Sequence, residues 1–140
     1  MLRCTRADGS VVWQKQSRHA AHFALHDITH FSVETALGFR RGFFGLIAEG
    51  WNVDDVTGKG SRGELPEEAL EAERIVGLFD SERAAGASLS LEDWKNGGRA
   101  LTEEEIRRVR GLRAELFRQW AAVPPGDALV LTFAAEGAYK

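Results

Sequence analysis

The sequence predicts an α+β domain: a three-stranded antiparallel sheet, built from an N-terminal hairpin and a C-terminal strand, packed against three to five helices. Three observations carry this. Asp8-Gly9 separates two short β-prone runs at the start of the chain, and such a pair tolerates the positive φ that hairpin turns need. Near the end, the turn Pro124-Pro125-Gly126-Asp127 leads into Leu129-Val130-Leu131-Thr132-Phe133, whose alternation puts Leu129, Leu131 and Phe133 on one face. Between them the apolar residues recur at helical spacing, interrupted by glycines and by Pro66.

Taken in order, strands are expected at about 2–6 and 10–15, with 129–133 joining them because a lone hairpin is marginal in water. A first helix ends at Leu37, with Gly38 as its C-cap. A second spans Gly42 to about Asp54, carrying Phe43, Ile47 and Trp51 on one side. Pro66 opens a third, whose early Glu67, Glu68 and Glu71 suit the positive end of the dipole and whose stripe is Ala69, Ala72, Val76 and Phe79. A short helix is expected from Ser90 through Trp94 to Gly97-Gly98. Thr102 caps the last helix, with Glu105 reaching back and Leu101 stapling against Ile106; Ile106, Val109, Leu116, Trp120 and Val123 face inward. Residues 57–65 and Ser81 to Ser88 read as loops.

Length and composition suit one soluble domain spanning 1–140, since 140 residues bury an ordinary core without staples. A net charge of -3 argues against nucleic acid as a partner, because phosphate contacts need a basic face. No apolar run approaches a membrane span, and Met1 to Arg6 contains no signal-peptide core. The single cysteine, Cys4, excludes an internal disulfide and fits the cytoplasm; in a strand it reads as an inert, buried thiol. A homo-oligomer is left open.

All four histidines, His19, His22, His26 and His30, lie within twelve residues. Imidazole is the commonest metal ligand and titrates near neutral pH, so chemistry would sit here. His26-Asp27-Ile28-Thr29-His30 has the two-histidine spacing of the zinc peptidase motif, with aspartate in place of its glutamate. On a helix such residues differ by about 40° in direction and about 6 Å in height, so His26 and His30 can share a divalent metal such as zinc. Aspartate is one methylene too short to reach a metal-bound water well. Glu34 stands about 12 Å along the axis from His26, too far for a common coordination sphere in a straight helix. Further ligands would come from Glu49, Asp54, Asp55 or Glu73. The competing reading makes Asp27 the N-cap of a helix starting at Ile28, which dissolves the peptidase-like geometry. The Asp-then-apolar pattern favours the cap. On either reading His30 is interior, and neutral at pH 7 unless Glu34 bonds its ring directly.

Other motifs read as structure. Gly58-Lys59-Gly60-Ser61-Arg62-Gly63 matches G-x-G-x-x-G but opens no helix directly, as a dinucleotide fingerprint must. Arg107, Arg108, Arg110, Arg113 and Arg118 are interleaved with Glu103, Glu104 and Glu115, the pattern of a solvated face with ion pairs. Ser17 and Ser32 lack the strand-turn-helix setting of an activated serine.

The stretch His26-Asp27-Ile28-Thr29-His30-Phe31-Ser32-Val33-Glu34, followed by Gly42-Phe43-Phe44-Gly45-Leu46-Ile47-Ala48-Glu49-Gly50, resembles a group of small uncharacterised bacterial proteins. Their pattern is HD-x-x-H-aromatic-x-VE and then GF-x-G-x-x-A-x-G. The resemblance implies the same layout and no particular substrate. Its members place proline before the HD pair, which favours the cap, although Leu25 stands there in this chain. Two functional expectations follow. The first is a structural or interaction module with satisfied core histidines. The second is a small-molecule or divalent-metal site, hydrolytic in one version, built on His22, His26, His30 and Glu34.

Overall fold

The computed structural model describes residues 1–14, 20–57, 60, 62–86 and 100–133, with the side chains of 20–22 outside that description. The predicted short helix around Trp94 also lies outside the described residues. Strands β1 (Leu2–Thr5) and β2 (Val11–Gln14) form an antiparallel hairpin in the register Leu2↔Gln14 to Thr5↔Val11. Gly9 takes a φ of 87° at the turn, and Asp8 Oδ1 accepts bonds from the Ser10 amide and hydroxyl at 2.8 and 2.6 Å. Five helices follow among the described residues: α1 (Ala20–Leu37), α2 (Phe43–Glu49), α3 (Val53–Val56), α4 (Glu67–Ala85) and α5 (Glu103–Ala121). None is long and apolar enough to cross a membrane.

Helix α1 is the central element and is buried from Ile28 to Glu34 without interruption. Such a helix must satisfy its own polar side chains. Thr29 and Ser32 do so by donating to the carbonyls one turn back, Leu25 and Ile28, both at 2.8 Å. One side of α1 places Val33 with Ala72, Ile75, Val76 and Phe79 of α4 and with Ile106 and Val109 of α5. Another places Ile28 and Phe31 with Leu116, Leu129, Leu131 and Phe133. The hairpin rests on a cluster around Leu46, Ile47, Trp51 and Val56 through Leu2, Cys4 and Val12.

Several expectations change. Asp27 is no N-cap: α1 runs straight through it, because starting at Ala20 carries His26 to its partner on α4 and Ile28 into the core. Asp27 instead lies close to Cys4, whose thiol is pushed up to about 11 by burial first and the Asp27 charge second, with Arg6 opposing. The second helix stops at Gly50, with a φ of 112°, and Val53–Val56 is a separate turn. Ser81 to Ala85 completes α4 rather than a loop, with Gly86 as C-cap. Residues 129–133 keep the predicted alternation, with Val130 84% exposed and Phe133 packed on Phe31 and Phe44. Among the described residues, however, the ladder contains β1 and β2 alone. The C-terminal segment is held by side-chain burial against α1 and α5. Thr102 caps α5 and Glu105 closes the capping box, at 3.1 and 3.0 Å.

Gly45 sits where α2 crosses the preceding loop so closely that a Cβ would overlap the Arg40 carbonyl oxygen. Gly45→Ala should therefore cost about 3 kcal/mol or more, since the obstacle is backbone and cannot rotate away. A urea midpoint unchanged from the parent would refute that packing.

Candidate metal centre

His26 and His30 lie one turn apart on α1, and Glu73 and Asp80 lie two turns apart on α4. The helices run antiparallel, so the earlier histidine meets the later carboxylate. His26 Nδ1 donates to Asp80 Oδ2 at 2.6 Å, and His30 Nε2 lies 3.2 Å from Glu73 Oε1. His30 Nδ1 donates in the other direction, to Glu34 Oε2 at 3.1 Å. The rings meet edge to face, with centroids 4.8 Å apart. His26, His30 and Glu73 each offer a ligand atom, and these atoms all lie within 4.8 Å of one another. His30 is enclosed, whereas the Glu73 side chain is 49% exposed, so the cluster runs from the interior to the surface.

Glu34 is fixed from three directions. It is buried, and besides His30 it accepts from the amides of Phe43 and Phe44, both at 2.9 Å. These are the first orphan donors of α2, so Glu34 serves as a cap delivered from another helix. Gly42 makes this approach feasible, because a Cβ there would stand 2.5 Å from the Glu34 carboxyl carbon. The glutamate ending the first half of the sequence pattern and the glycine opening the second half are thus one junction.

The electrostatics reverse one expectation. Burial alone would lower the pKa of His30, but hydrogen bonds and charge from Glu34 and Glu73 outweigh it and push it up to about 10. His30 is imidazolium at pH 7, because Glu34 does bond the ring. Glu73 is held below the usual carboxylate range chiefly by its bond to His30.

Of the residues named from sequence, His26, His30 and Glu73 come together. His22 is placed by its backbone in the first turn of α1, and His19 lies outside the described residues. Glu34 faces His30 on the Nδ1 side and is not one of the three residues whose candidate ligand atoms cluster. Glu49 pairs with Arg41 at 3.0 Å, Asp55 caps α3 through the Asn52 amide, and Asp54 is exposed. Asp80 was missed; its one sequence signal is its place seven residues after Glu73 on a continuous helix. The arginine reading also changes in part. Arg118 pairs with Glu115 on the surface, but Arg110 and Arg113 reach across to buried Glu82, Arg110 in bidentate fashion at 3.0 and 2.6 Å. Of the G-x-G-x-x-G loop, Gly60 donates to the Asp54 carbonyl and Arg62 lies over the Trp51 ring.

No protein-family model matches this chain, and neither does any curated protein or solved structure.

Proposed function

We propose that the protein binds one divalent transition metal through His26, His30 and Glu73, with Asp80 and Glu34 orienting the two imidazoles. The observation that carries this is the convergence of three ligand atoms within 4.8 Å while each ring also faces a carboxylate through Nδ1. Metal-bound histidines characteristically donate their other N–H to such a carboxylate, which fixes the ring and raises its basicity. Ligand atoms on a tetrahedral ion stand roughly 3.3 Å apart, given bonds of about 2.0 Å, so loading draws the cluster inward. The ion takes the place of the proton between His30 and Glu73.

Two histidines and one carboxylate are the donor set of open zinc and ferrous sites, where further positions belong to water or substrate. Zinc in such a set lowers the pKa of bound water to about 7, the basis for a hydrolytic activity. A second reading has its own support. Both nitrogens of His30 already face carboxylates, so the same residues clamp α1 to α4 without any ion, as a structural module with satisfied core histidines.

Metal analysis of untagged protein and calorimetric titration with zinc separate the two. The metal reading expects one ion per chain with a Kd near 1 μM or below, weakened at least about 100-fold in His26→Ala and His30→Ala. Absence of metal after purification, together with no heat of zinc binding up to about 100 μM, would leave the clamp.

A further inference from the structure

The glycine in the middle of α4 has no structural reason of the usual kind. Gly77 is exposed, takes no positive φ, and a Cβ built on it would meet nothing within 4 Å among the described residues. Glycine weakens a helix interior relative to alanine, so α4 gives up stability here without gaining a turn or a close contact. Gly111 of α5 is similarly unhindered, but its neighbours one turn away, Arg107, Arg108 and Glu115, are exposed. Gly77 differs in what flanks it. It follows Glu73 by four residues and precedes Asp80 by three, which puts all three on one side of α4. On the helical wheel it lies about 40° from Glu73, away from the buried stripe of Ala72, Val76 and Phe79.

Among the described residues, the cluster is enclosed at its His30 end. His30 is buried, with the Phe43 ring tilted against its own at a centroid distance of 5.6 Å and with Glu34 behind it. Its solvent side is marked by half-exposed Glu73 and by His26, whose side chain is 29% exposed. Resting on the metal reading above, we infer that the ion's remaining coordination positions open across Gly77 and accept a small oxygen-donor ligand from solvent. Three protein ligands leave at least one position on a tetrahedral ion. A side chain at position 77 would stand on the rim between Glu73 and Asp80 and obstruct the approach. Gly77 keeps that rim at backbone height.

The test uses the full chain loaded with Co²⁺, titrated with acetohydroxamate and followed by the visible absorption of the ion. Wild type and Gly77→Ala should each take up one Co²⁺ and show a spectral change on adding the hydroxamate. Gly77→Leu should take up Co²⁺ equally well, since leucine suits an exposed helix position, yet bind hydroxamate at least about tenfold more weakly. Equal hydroxamate affinity in Gly77→Leu, or no spectral response in wild type, overturns the inference while leaving metal binding in place. Failure of wild type to take up Co²⁺ overturns the metal reading, and this inference with it.

Discussion

Glu34→Gln is expected to destabilise the protein by about 3–5 kcal/mol, a large fraction of the roughly 5–15 kcal/mol that holds a domain together. The carboxylate is buried and accepts three bonds, from His30 Nδ1 and from the amides of Phe43 and Phe44. A carboxylate offers enough lone pairs for three donors, whereas an amide offers one oxygen and turns an NH₂ group toward the remaining donors. The substitution also leaves a buried imidazolium facing Glu73 alone, and breaking a buried pair from one side is the costly case. Gly42→Ala attacks the same junction from the other side, since its methyl group would press on the Glu34 carboxyl. Urea denaturation measures both. A Glu34→Gln midpoint within error of the parent would mean that the carboxylate is not what anchors α2 to α1.

The second large effect is on pH. In the metal-free protein the pKa of His30 is raised from 6.5 to about 10. A group raised in this way contributes its full stability below its unfolded value and loses it as pH rises through the folded one. Stability should therefore fall between pH 6.5 and about 10, by a few kcal/mol in total. Glu73 is shifted the other way, so its contribution is present above 4.5 and declines as pH falls below that. The cluster is at its most stabilising between these limits, on the acidic side of neutral. If the proposed metal site forms, zinc should invert the upper slope, because the ion would compete with the proton on His30 and bind better as pH rises. Melting temperatures from pH 5 to 10, with and without zinc, supply the check. A flat profile without metal, or one matching that of His30→Gln, would show that His30 is not the charged partner of Glu34 and Glu73.

The local features were legible in the sequence wherever neighbouring residues decide them. Asp8-Gly9 makes the hairpin turn, Gly38 ends α1, and Thr102 with Glu105 starts α5, each through bonds spanning only a few residues. The stripes of α4 and α5 and the inward side chains of 129–133 followed from periodicity, which reports burial. Periodicity does not say what buries a face. Residues 129–133 could therefore be read as a strand, although what holds Phe133 in the described structure is Phe31 and Phe44.

The sequence by itself determined an α+β chain with one histidine-bearing segment, and it brought His26 and His30 together because a single helical turn does so. It left Asp27 undecided, since an aspartate before an apolar run suits a cap and a helix interior alike. Only the tertiary structure brought Glu73 and Asp80 across from α4, some 43 to 54 residues away along the chain. It also placed Glu34 between the Nδ1 side of His30 and the first amides of α2. The physical reason is range. Caps, turns and helical faces are set by bonds and sterics between near neighbours, whereas the charge of His30 depends on which carboxylates helix packing delivers to its two nitrogens.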